Sequence, residues 1–215
     1  MAAYEAGLAG APCWVRSGGG RRLLPLTRWA GDADGRDAQI VAAVLDGTTA
    51  GSTVLDVGCG PGRLTAAIAR HGAGVAAAGV DSSPVAVALA RARGAHVWHA
   101  DVLQSLPMGV GQWDRILLAD GNLGIGGDPV ALLRRLRPLL TPGGRIVADV
   151  RRGGGLIRAP AWIESVDADG TLLGGAVPWA WVGADSAQWL GAQAGLTLRA
   201  LRRFARGRIA VWERA

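Results

Sequence analysis

Lysine is absent from this 215-residue chain, and all 23 basic residues are arginine. Together with abundant alanine and glycine, that bias looks like a GC-rich genome rather than a functional choice. Cysteine is scarce, with only Cys13 and Cys59, so neither a disulfide framework nor a cysteine metal site is expected. His96 and His99 share one short strand pattern without further ligands beside them, and no metal is expected. No apolar run approaches the roughly 20 residues that a membrane-spanning helix needs. Residues 1–20 hold Glu5 and scattered glycines but no apolar core, so a secretory signal is not expected there and a cytoplasmic location is. What the chain does have is a hydrophobic half, 34 glycines and nine tryptophans. That is enough apolar material for one folded domain with a real core.

The net charge of +6 admits a nucleic-acid partner. The arginines are dispersed, however, and the densest groups, such as Arg134-Arg135-Arg137, fall on a predicted helix face where solvation suffices. Aromatic residues do not alternate with arginines along the chain as a base-stacking platform would require. A small-molecule partner is the expectation, in a monomer or homodimer, with nucleic acid as the alternative.

From residue 51 onward strand and helix patterns alternate. Strands are expected at Thr53–Val57, Gly74–Val80, Ala95–Ala100, Trp113–Ala119 and Gly144–Val150. Helices are expected at Arg63–His71, Pro84–Arg93 and Pro129–Leu140, with Ser83 and Pro84 as N-cap and first helical residue of the second. This is the pattern of an α/β fold, a mostly parallel sheet covered by helices on both faces. After residue 150 it changes. Asp169-Gly170 marks a hairpin turn between Ala161–Ser165 and Thr171–Leu173, a helix follows at Asp185–Ala194, and two antiparallel strands close the chain. Two parts are expected: residues 1–35 as a lid or cap, and residues 36–215 as the main domain with a hairpin insertion near 161–182.

The most informative run is Asp56-Val57-Gly58-Cys59-Gly60-Pro61-Gly62-Arg63. A strand ends on an acid, passes three alternate glycines and enters a helix, which is how nucleotide-type ligands are held at a sheet's carboxyl edge. Dinucleotide loops place a further glycine where this chain has Arg63, and a pyrophosphate would sit awkwardly beside Asp56. A ligand with positive charge suits the acid better. Asp81 ends the next strand at about the interval of a ribose-holding acid, and Asp101 ends the one after. The three acids should converge on one crevice.

These residues resemble the signature of class I S-adenosylmethionine-dependent methyltransferases, with a Rossmann-like, seven-stranded, mostly parallel sheet. The resemblance runs over roughly residues 50–150, through Val80-Asp81, Asp101-Val102, Ile116–Ala119 and the Pro-Gly-Gly turn at 142–144. It implies S-adenosyl-L-methionine as cofactor, with Gly58, Gly60 and Gly62 around its methionine portion and Asp56 supporting that loop and the amino end. Asp81, followed by Ser82, would hold the ribose, Asp101 and Val102 would lie at the adenine, and Ala119 and Asp120 near the sulfonium. The segment Leu118–Pro129 looks like that of a subgroup of small actinobacterial methyltransferases. The implied activity is methyl transfer to a small-molecule acceptor; the alternatives are an RNA or protein acceptor, or a non-catalytic scaffold that keeps the fold. Asp120 is the first candidate for a general base and Tyr4 the second, while Trp29, Trp179 and Trp181 are candidates for the acceptor pocket wall.

Overall fold

The computed structural model describes residues 1–18, 20–71, 74–104, 106–107, 109, 111–166, 169–204 and 207–214. Its centre is a seven-stranded sheet in the order β10-β11-β7-β6-β3-β4-β5. The strands are β3 (Thr53–Val57), β4 (Ala76–Asp81), β5 (His96–His99), β6 (Trp113–Leu118), β7 (Leu140–Val150), β10 (Leu196–Phe204) and β11 (Gly207–Arg214). The five central and right-hand strands run parallel, and β11 alone is inserted antiparallel between β7 and β10. A Rossmann-like mostly parallel sheet is what the alternating pattern called for.

Both faces are covered because the central strands are apolar on both sides. Helices α3 (Asp37–Leu45) and α4 (Arg63–His71) bury Val44 and Ile68 against Val54, Leu117 and Val147. Helices α6 (Pro129–Leu136) and α7 (Ala187–Ala194) bury Leu133 and Leu190 against Ile116, Ile146 and Trp212 on the other. Helix α5 (Pro84–Ala92) begins as the Ser83-Pro84 pair indicates, with the Ser83 hydroxyl accepting from the Ala86 amide at 3.2 Å. The Asp128 carboxylate caps α6 in the same way, taking the Val130 and Ala131 amides. Among the described residues no helix is long and apolar enough to cross a membrane.

The rest forms a second sheet of four antiparallel strands in the order β2-β1-β8-β9. Strands β1 (Cys13–Ser17) and β2 (Gly20–Leu23) come from the N-terminal segment, and β8 (Leu156–Val166) and β9 (Leu172–Val182) from the hairpin. The short helices α1 (Ala2–Leu8) and α2 (Leu26–Ala30) flank this segment, and α1 packs on β8, β9 and α5. On the outer face of this sheet arginine and tryptophan do meet, across strands rather than along the chain. Arg16 lies over Trp162 at 5.2 Å and Arg21 over Trp14 at 4.1 Å, and both guanidinium groups pair with Glu164.

Candidate active site at the carboxyl edge of the parallel sheet

The carboxyl ends of β3, β4, β6 and β7 open towards the same edge, and the glycine turn begins there. Gly58 sits at φ +68, and a Cβ added to it would lie 2.6 Å from Asn122 Nδ2. Only glycine serves at such a place. The Asn122 side chain donates to the Val57 and Gly58 carbonyls at 2.9 and 2.8 Å, so the loop after β6 is tied to the loop after β3. The Gly58 amide in turn donates to the Val80 carbonyl at 2.8 Å, joining the turn to β4.

Asp81 ends β4 beside this turn. Its Oδ2 accepts from the Gly60 amide at 2.8 Å and its Oδ1 from the Ser83 amide at 2.9 Å. Burial pushes its carboxyl up, opposed by those same amides. The Ser82 amide also leans on this carboxylate, and since a carboxylate offers roughly four lone-pair sites, capacity remains for a ligand's hydroxyl. The Asp81 carbonyl accepts from the Ala100 amide at 3.0 Å, which brings Asp101 and the buried Val102 to the neighbouring corner. Asp101 spends Oδ1 on the Leu103 amide at 2.9 Å. Ser82 is exposed, with its carbonyl 3.2 Å from His99 Nε2.

Asp56 lies beneath rather than in the crevice. It is 2% exposed and accepts from the Thr65 hydroxyl of α4 at 2.7 Å. Burial pushes its carboxyl up to about 7, partly opposed by Thr65 and Arg63, while Asp120 and Asp81 add repulsion. Burial likewise raises Asp149, at the end of β7, to about 6. Both groups release their protons near pH 4 in an unfolded chain, at about the usual carboxylate value. The folded protein therefore binds more protons between about pH 4 and 7, and its stability falls as pH rises through that window. Asp56→Asn is expected to flatten the decline, measured as urea midpoints across that range. An unchanged slope would show that Asp56 is not protonated in the native protein.

Asp120 is the one non-glycine residue in the left-handed region among the described residues, at φ +53, followed by Gly121 at φ +87. Both its oxygens are engaged. Arg28 of α2 binds Oδ1 at 3.2 Å and Arg63 of α4 binds Oδ2 at 2.6 Å. The same two arginines hold Asp37 of α3, which is fully buried: Arg28 at 2.5 Å on Oδ1 and Arg63 on Oδ2. The expected general base is thus a member of a five-residue ion network, completed by Asp34 on Arg28 at 3.4 Å, and its charge is shared by two guanidinium groups. A general base needs an available lone pair within reach of the acceptor's proton. Tyr4 is no better suited: burial, then Asp81 and Cys59, push its phenol far up, so it donates rather than abstracts. Its hydroxyl lies 3.4 Å from where a Gly60 Cβ would be, placing α1 over the turn. Glu5 of the same helix accepts from the Ser83 hydroxyl at 3.1 Å.

Arg28 and Arg63 were not legible as site residues, since the Asp120 that they hold lies 92 and 57 residues away, and Asp37 is tied to it only through them. Asp149 was legible in principle: like Asp56, Asp81, Asp101 and Asp120, it is an acid at the carboxyl end of a buried strand.

The residues suit an adenosyl sulfonium ligand. Asp81 keeps lone pairs for ribose, and the buried Asp56 feels repulsion from Asp120 and Asp81, which a nearby cation would offset. Trp29 Nε1 and Arg63 Nε are buried without a hydrogen-bond partner. Trp29 meets Tyr4, the residue over the turn, edge-on at 6.5 Å between centroids.

Residues 54–144 match the family model described as a methyltransferase domain. No curated protein matches it by sequence. Solved structures share the fold. A methyltransferase from Bacteroides fragilis, in complex with S-adenosyl-L-homocysteine, is 19% identical with a TM-score of 0.72, over 98% of this chain and 90% of that one. The sugar N-methyltransferase KedS8 from a Streptoalloteichus species is 20% identical with a TM-score of 0.60, over 83% and 86%. The 1,6-didemethyltoxoflavin-N1-methyltransferase of Burkholderia thailandensis is 20% identical with a TM-score of 0.60, over 84% and 79%.

Proposed function

We propose that this methyltransferase takes its methyl group from S-adenosyl-L-methionine and delivers it to a small-molecule acceptor. The observation that carries the reading is Asp81, pinned by the Gly60 and Ser83 amides at the end of β4 with lone pairs to spare for the ribose. Gly58, Gly60 and Gly62 would shape the cradle for the methionine part. Trp29 and Arg63 would offer their free donors to its carboxylate, and Asp101 and Val102 would border the adenine. Ala119 would floor the space under the sulfonium. The cofactor supplies a methyl group already activated for displacement. What the chain must add is alignment and exclusion of water.

Residues 1–35 and the hairpin act, in this reading, as the lid that selects the acceptor. Tyr4 covers the turn from one side. From the other, β9 closes on the loop after β6: Ile125 bridges Trp179, and a Cβ at Gly124 would lie 2.0 Å from the Ala180 carbonyl oxygen. Small acceptors fit such a closed arrangement, as do those that the names of the Streptoalloteichus and Burkholderia enzymes imply. The test is calorimetric titration with S-adenosylmethionine, S-adenosylhomocysteine and NAD, followed by transfer of labelled methyl to a panel of amino sugars, heterocyclic amines and phenols. Binding of the first two and labelling of a panel member are expected. Binding of NAD instead would overturn the reading.

A further inference from the structure

We infer that Asp149 is the carboxylate that faces the transferable methyl group and receives the acceptor's proton. The inference rests on the methyltransferase reading above and assigns the step which Asp120, held by two arginines, is badly placed to perform.

Asp149 is the last residue but one of β7 and pairs in register with Ile209 of β11. It lies on the face of Val147, which with Ile209 packs under α3 and α4, and this is the face on which Arg28, Arg63 and Asp120 gather. Leu118 of β6 pairs with Ala148, so Asp149 stands one strand across from Ala119 and Asp120. Its Oδ1 accepts from the Gly121 amide at 3.0 Å. Its own backbone amide also donates to the carboxylate, and among the described residues no ion pair engages Asp149. The residue as a whole is half-buried, and desolvation is the largest influence on its carboxyl. Burial and the nearby Asp120 raise its proton affinity, and Arg28 opposes them. A base whose affinity lies close to the working pH exchanges protons most effectively.

The step balances without a further reactant. The acceptor's nitrogen or oxygen lone pair forms the new bond to the methyl carbon, and the carbon–sulfur bond breaks with its pair left on sulfur. The positive sulfonium becomes a neutral thioether, and the proton on the acceptor atom passes to Asp149 and then to solvent.

A simpler role is open to Asp149, that of an acceptor holding the left-handed Asp120-Gly121 turn in place. Asp149→Asn separates the two, because the amide oxygen still accepts from Gly121 while the charge is gone. The readout needs no acceptor. Sinefungin carries an ammonium-bearing carbon where the cofactor carries its methylsulfonium, and S-adenosylhomocysteine carries neither. Wild-type protein is expected to bind sinefungin about ten-fold more tightly than S-adenosylhomocysteine, the size of one charge-assisted contact. Asp149→Asn should abolish that preference while moving S-adenosylhomocysteine affinity less than about two-fold. A wild-type protein with no preference overturns the inference even if the variant fails to fold, and so does a preference that survives in Asp149→Asn. If S-adenosylhomocysteine itself does not bind, the methyltransferase reading falls first and takes the inference with it. Where a panel acceptor is found, the variant should lose on the order of 100-fold in turnover at saturating cofactor.

Discussion

Asp81→Ala is expected to weaken S-adenosylmethionine and S-adenosylhomocysteine by the same factor, ten-fold or more in both cases, on the order of one or two charge-assisted hydrogen bonds. The equality is the informative part, since the two ligands share the ribose and differ only at sulfur. Asp81 acts on the ligand in two ways. It holds the Gly60 and Ser83 amides, so its removal loosens the cradle, and its remaining lone pairs would accept from the ribose hydroxyls. A ligand without those hydroxyls separates the two contributions. Deoxy-S-adenosylhomocysteine should bind wild-type protein more weakly than the parent compound does, yet Asp81→Ala should not distinguish the two. Calorimetry on the four combinations measures this coupling directly. If the variant still discriminates as the wild type does, the ribose is held elsewhere and Asp81 is only a support for the turn.

How much of this was legible in the sequence depended on how far apart the interacting residues lie. The parallel half of the main sheet was readable because each strand announces itself locally: an apolar run, an acid or glycine at its end, then a helix start such as Ser83-Pro84. Of the second sheet only the hairpin was, through Asp169-Gly170 between β8 and β9; the strands that complete it were not. Cys13–Ser17 pairs with residues near 162–165, and nothing in Cys-Trp-Val-Arg-Ser alternates clearly enough to mark a strand without that partner. The first half of β8 was hidden by Arg158 and Pro160. Pro160 sits opposite Pro178, a pairing tolerated where the ladder gives up its amide donors. In the site, the glycine turn and Asp81 could be read from spacing alone. The role of Asp120 could not, because the arginines that occupy it are 92 and 57 residues away. Asp149 is harder for a different reason: its place at the end of an apolar run, Ile-Val-Ala-Asp-Val, is legible, but only the register of β6 and β7 brings it opposite Ala119.

Arg63 carries the largest expected effect on stability. It occupies the position where a dinucleotide loop would have glycine, and its guanidinium, 4% exposed, is wedged between Asp37 and Asp120. Asp37 is completely buried, and Arg28 is the only other cation on it among the described residues. Arg63→Met keeps much of the apolar stem but leaves a buried carboxylate half compensated, a change that typically costs about 3–5 kcal/mol. For a chain of this size that corresponds to a midpoint lowered by roughly 6–20 °C. The double variant Arg63→Met with Asp37→Asn removes charge from both sides and is expected to recover more than half of the loss. Replacing a buried pair is far less damaging than breaking one. Thermal melts of the three proteins decide the matter. A single variant that loses under about 1 kcal/mol would mean that water reaches Asp37. A double variant as unstable as the single one would mean that Arg63 is needed for its link to Asp120 instead, and that the loop after β6 rather than α3 is what this guanidinium holds in place.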